Sequence, residues 1–190
     1  MLEALFRSKV TVKLLGYFMK QPEKEFYLRE ISREISEPAS ATRRELERLE
    51  TFGLIRSRPV GNHKYFSVWA DFPVLSELKG LYLKTDGAID YLKDRFSGLK
   101  GVQLAFLYGG FAERPSAAIL EIDAVVVGLV DEGQLKMLVE ELQPILARRI
   151  TCIHYDSGEF GRLLEEKDPS LMEILNGEKI VLAANIANKG

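Results

Sequence analysis

Apolar positions in the first seventy residues recur at helical spacing and then switch to alternation. Val10, Leu14, Leu15 and Phe18 mark one helix face, with Ser8 placed as its N-cap. The stretch QPEKE breaks that helix, and YLREISREIS begins a second with Leu28, Ile31 and Ile35 on one side. EPAS then reads as a turn with Pro38 at the first position of a third helix, PASATRRELERLETFG, which stops at Gly53. Its expected inward stripe is Thr42, Leu46 and Leu49, with Ala39 one turn earlier. Ser40, Ala41, Arg43, Arg44 and Glu47 are left facing outward. Leu54-Ile55 and Tyr65–Val68 read as two strands joined by a turn at Gly61-Asn62.

Beyond this point the pattern changes twice. Leu75, Leu78, Leu81 and Tyr82 repeat at helical spacing, and a further helix starting near Asp86 carries Ile89, Leu92 and Phe96. This stretch is expected either to supply dimer contacts or to pack on the C-terminal domain. VQLAFLYGG is then an apolar run ending in two glycines, and EIDAVVVG is a second buried strand that opens with two acids. Domain limits of 1–70, 71–98 (a helical linker) and 99–190 follow from these shifts.

Composition narrows the classes. The chain has 190 residues, 46% hydrophobic and 28% charged, as in a soluble globular protein. Its single cysteine, Cys152, excludes an internal disulfide framework and a cysteine-based zinc site. No leader pattern or membrane-length apolar run is visible, so a cytoplasmic protein without membrane contact is expected. The net charge of −2 hides an asymmetry. Residues 1–70 hold 13 Lys/Arg against 9 Asp/Glu, and the remainder hold 13 against 19. A basic front and acidic back is a pattern associated with nucleic-acid contact.

YLREISREI, ATRRELERLETFGLI and the hairpin RSRPVGNHKYFSV, taken in order, resemble the winged helix-turn-helix of ArsR- and MarR-like transcription regulators, over about residues 8–69. The resemblance implies double-stranded DNA as partner and a homodimer. The residues fit that chemistry independently. A helix presenting Ser40 beside Arg43 and Arg44 can enter a major groove, and Arg56, Arg58 and Lys64 can reach backbone phosphate from the hairpin. The competing reading is a solvated helix face whose arginines pair with Glu45, Glu47 and Glu50.

The acids raise a separate question. Glu121 and Asp123 lie two apart on a strand, so both carboxylates point to one side, as Mg²⁺ sites for phosphoryl transfer require. Together with Gly109 and Gly110, this resembles the nucleotidyltransferase superfamily that includes DNA polymerase beta, over roughly residues 86–183. The family pattern implies a glycine-serine turn holding triphosphate and an Asp-x-Asp pair holding metal. Here Gly110 stands in place of the serine and Glu121 in place of the first aspartate. RRITCIHY carries no third acid, although His154, Asp156 and Glu159 lie on or after it. Ala117, Ala118, Ile119 and Leu120 make the intervening loop apolar. Losing one electrostatic contact typically costs about 10²–10³ in rate.

The sequence thus predicts an α+β chain: an N-terminal winged helix-turn-helix and a C-terminal nucleotidyltransferase-like α/β domain with a small mixed sheet. The expected function is sequence-specific DNA binding in transcription regulation, with the second domain catalytically inactive and serving assembly or ligand sensing. The alternative is a nucleotidyltransferase using Mg²⁺ and a nucleoside triphosphate to modify a small molecule, protein or RNA. A protein-interaction adaptor of toxin–antitoxin type is a third class. Gly109 and Gly110 are then degenerate nucleotide-binding positions, and Glu121 and Asp123 degenerate metal positions.

Overall fold

Capping chemistry fixes the helix ends of the amino-terminal part. After the single turn α1 (Glu3–Phe6), the Ser8 hydroxyl accepts a hydrogen bond from the Thr11 amide and starts α2 (Lys9–Lys20). A two-residue strand, β1 (Phe26–Tyr27), leads directly into α3 (Leu28–Glu34). α4 (Ala39–Phe52) begins one residue later than the sequence suggests, because Pro38 is its extended N-cap and not its first helical residue. Gly53, at φ 91°, ends it as expected. The computed structural model describes residues 2–6 and 8–185 of the chain.

β2 (Ile55–Val60) and β3 (His63–Val68) pair antiparallel across Gly61-Asn62, and β1 adds on the far side in the order β1-β3-β2. Two residues offer no alternation to read, so β1 leaves no sequence signal. Leu14, Phe18, Ile31, Leu46, Leu54, Ile55 and Phe66 fill the core between helices and sheet. Leu75, Leu78 and Tyr82 of α5 (Leu75–Leu83) pack against the same core. Three helices followed by a β-hairpin is the winged helix-turn-helix layout.

The inward stripe of α4 differs from expectation at two places. Ala39 is exposed, and Glu45 is buried beside Thr42, Leu46 and Leu49. A buried carboxylate must find donors. Glu45 accepts from the Thr11 hydroxyl at 2.7 Å and lies 3.2 Å from Arg48, whose guanidinium also reaches Thr11 at 2.9 Å. This network ties α2 to α4.

α6 (Ala88–Ser97) opens a second core. It is followed by β4 (Val102–Tyr108), α7 (Gly109–Glu113), β5 (Glu121–Gly128), α8 (Glu132–Leu146), β6 (Arg149–Tyr155), α9 (Ser157–Glu165), α10 (Pro169–Asn176) and β7 (Ile180–Ala184). The sheet order is β6-β5-β4-β7. β4 is antiparallel to both neighbours, while β5 and β6 run parallel with α8 as the crossover, so the sheet is mixed. Alternation sends Ala105, Leu107, Ile122, Ala124 and Val126 to one face, against Leu92, Phe96, Leu138 and Leu142. Phe106, Val125 and Val127 face the other way, toward Phe160, Ile174 and Leu175.

Contacts divide the chain into Met1–Asp86 and Gly87–Gly190. The stretch read as a linker is therefore shared, α5 belonging to the first unit and α6 to the second. Where β4 meets the end of β5, Gly101 and Gly128 cross closely beside a register shift between Val102 and Leu104. A Cβ on Gly128 would lie 2.2 Å from the Gly101 carbonyl oxygen. Among the described residues, no helix is long and apolar enough to cross a membrane.

Candidate nucleic-acid interface and candidate metal site

α4 turns Ser40, Arg43, Arg44 and Glu47 to solvent on the face opposite its buried stripe. Neither Arg43 nor Arg44 has an acidic partner among the described residues. The intrahelical pairing of the competing sequence reading goes instead to Arg48 and Glu45. Beside α4, a cleft of about 400 Å³ opens between the helix and the hairpin. It is lined by Tyr27 on β1, Arg29 at the start of α3, Arg43 and Glu47 on α4, and His63 and Lys64 on β3. Arg29 carries no signal of this role in the sequence. Its place at the cleft depends on β1 turning straight into α3, which local pattern does not reveal.

The hairpin cations are more constrained than their exposure suggests. Arg56 stacks on Trp69, its guanidinium carbon 4.1 Å from the ring centroid. Arg58 makes a forked pair with Glu25, donating from Nε at 2.8 and 3.0 Å and from a terminal nitrogen as well. Lys64 donates to Glu50 at 2.8 Å, and its ammonium lies 5.3 Å from the Phe66 ring. The Ser57 hydroxyl donates to the other oxygen of Glu50. Hydrogen bonds from Arg58 hold Glu25 below the usual carboxylate range, and those from Lys64 and Ser57 do the same for Glu50. Arg29, Arg43 and Arg44 thus make no ion pair among the described residues, and neither does Arg56, which stacks on Trp69.

The paired acids sit on the second unit's sheet. Glu121 and Asp123 share the β5 face that carries Val125 and Val127, Glu121 exposed and Asp123 half-buried opposite Tyr108. Gly109, at φ 68°, packs against Asp123, since a Cβ there would lie 3.3 Å from its Oδ2. Burial, and then the neighbouring Glu121 charge, raise Asp123 above the ordinary aspartate range. Burial, with Asp123 next, pushes the Cys152 thiol up to about 12. These are the shifts of a crowded acidic corner.

The donors do not fit a magnesium–triphosphate group. The parallel register sets Arg149 opposite Glu121 and Thr151 opposite Asp123, where a further carboxylate would be needed. Arg149 lies 3.6 Å from the Glu121 carboxylate, an exposed pair that places a cation beside the first acid. Asp156 is committed to capping α9, accepting from the Gly158 and Glu159 amides at 2.8 Å each. His154 Nε2 lies 3.0 Å from the Gly128 carbonyl oxygen, a structural contact. Among the described residues, no group of three or more His, Cys, Asp or Glu could hold a metal ion. Ile119 closes over Gly110, its Cδ1 lying 3.9 Å from where a Cβ would be, so a serine would fit sterically. The loop bearing Ile119 is pinned from below. Buried Arg148 donates to the carbonyls of Ile119, Leu146 and Ser116, and its guanidinium lies 5.2 Å from the Phe111 ring centroid.

No protein-family model matches the sequence, and no curated protein matches it. Solved structures overlap parts of it. Reduced HlyU from Vibrio cholerae is 17% identical over 43% of this chain and 77% of its own, with a TM-score of 0.33. ZitR from Lactococcus lactis is 19% identical over 48% of this chain and 63% of its own, at 0.35. A tri-AMPylated HEPN toxin in complex with MNT antitoxin from Shewanella oneidensis gives 17% identity over 54% of this chain and 71% of that one, at 0.32. Overlaps this partial do not assign a function.

Proposed function

We propose that the chain is a DNA-binding regulator whose first unit grips duplex DNA and whose second unit performs no nucleotidyl transfer, the two units acting as separate domains. The observation that carries it is the pairing of an outward, unneutralised Arg43-Arg44 face on α4 with a cation-lined cleft beside the hairpin. A helix of this kind fits a major groove, its exposed arginines reaching guanine edges or phosphate. Ser40, at the N-terminal end of the same face, is suited to a phosphate oxygen. Arg29 and Lys64 at the cleft walls would hold the flanking backbone, while Arg56 and Arg58 lie nearer the hairpin sheet.

The experiment is a fluorescence-anisotropy titration of a labelled random-sequence duplex at rising salt. Binding is expected to weaken steeply, with a slope reflecting several neutralised phosphates at about 0.9 units each. Binding that is absent at low salt, or indifferent to salt, contradicts the reading.

Support for a non-catalytic second unit comes from Arg149 occupying the position opposite Glu121. Catalysis of phosphoryl transfer relies on positioning and charge neutralisation by metal, and two acids with no third, one of them beside an arginine, supply little of either. Incubation with Mg²⁺ and labelled nucleoside triphosphates is therefore expected to leave no label on protein, RNA or small molecule. Labelling by the native chain that disappears in Asp123→Ala would restore the enzyme hypothesis.

A further inference from the structure

We infer that Glu25 and Glu50 are built-in stand-ins for DNA phosphate, occupying the hairpin's cations until a duplex displaces them; this rests on the duplex-binding reading above. Two acids far apart in sequence take two of the three hairpin cations in the same way, while Arg56 stacks on Trp69. Glu25 receives the forked guanidinium of Arg58, the geometry by which arginine recognises a phosphate. Glu50 projects from α4 to Lys64 on β3 and is steadied by the Ser57 hydroxyl on β2. It therefore bridges the helix to the hairpin at the wall of the cleft that Lys64 lines.

The consequence is an exchange. All four side chains reach solvent: Arg58 and Glu25 are 61% and 34% exposed, Lys64 and Glu50 50% and 31%. Ion pairs this accessible are weak and open readily. A phosphate entering the cleft can take Lys64 from Glu50, and one lying along the hairpin can take Arg58 from Glu25. The freed carboxylate then stays nearby and repels the incoming backbone, so each acid lowers the net affinity and the number of phosphates effectively neutralised. Arg43 and Arg44, which have no such partner, keep their full attraction. The hairpin thus contributes little to binding arbitrary sequence, and the α4 face decides where the chain stays.

The test uses the full chain and a fluorescein-labelled random-sequence duplex. Glu50→Gln and Glu25→Gln keep shape and hydrogen-bonding reach while removing charge. Each is expected to tighten binding about three- to ten-fold and to steepen the salt slope by up to about 0.9 units. The gain of Glu50→Gln should vanish when Lys64→Ala is added, and that of Glu25→Gln when Arg58→Ala is added. Thermal unfolding of each variant reports whether it is folded. The opposite sign is informative: if Glu50 merely positions Lys64 for phosphate, Glu50→Gln weakens binding and the inference falls. Unchanged affinity in both variants also overturns it, leaving the duplex-binding reading intact if the native chain binds. A native chain and both variants that all ignore the duplex defeat that reading as well.

Discussion

Converting Arg43 and Arg44 together to alanine is expected to weaken binding to a selected duplex by about 10²–10³-fold, while the fold is untouched. An arginine forked onto a guanine edge contributes about 1–3 kcal/mol of discrimination, and a phosphate contact adds to affinity for every sequence alike. Single variants separate the two roles. Loss of a phosphate contact lowers affinity uniformly and flattens the salt slope by about one unit. Loss of a base contact relaxes preference at one position. Both side chains are exposed and neither packs in the core, so their removal should move the unfolding midpoint by little. An unchanged affinity in the double variant would mean that α4 is not the recognition helix.

Gly128→Ala is the second large effect, and it acts on the other unit. The new methyl would stand 2.2 Å from the Gly101 carbonyl oxygen and 2.9 Å from the Gln103 amide nitrogen. Both obstacles are backbone, so no rotamer change relieves them. Gly128 also has φ 137°, a conformation that L side chains rarely adopt. The strand crossing must open, at a cost of about 2–4 kcal/mol. In a unit of this size each kcal/mol lowers the midpoint by roughly 4–8 °C. Circular dichroism should therefore show a fall of roughly ten degrees or more in the transition of the second unit. If the two units fold separately, duplex binding below that temperature survives.

The range of each interaction decides how legible it was in the sequence. The helices of the first unit obey local rules: a serine cap at Ser8, a left-handed glycine at Gly53 and apolar spacing between them. The Gly61-Asn62 turn and the strands around Phe106 and Val125 were equally readable, being alternations or apolar runs bounded by glycine. The acids on β5 pointed to their shared face by simple parity. What escaped was non-local. Glu45 reads as a surface residue until α2 brings Thr11 against it. The Arg58 and Lys64 pairs join residues 33 and 14 positions apart, so the hairpin's internal neutralisation could not be seen from charge counts. Arg149 became relevant to Glu121 only through the parallel register of β5 and β6.

The most direct test is selection of bound fragments from a random duplex pool by the full chain, followed by affinity measurement on the enriched sequence. A sequence-specific regulator should enrich one short motif and bind it at least about 10³-fold tighter than unselected duplex at physiological salt. A pool that stays random after repeated rounds would contradict duplex recognition by α4.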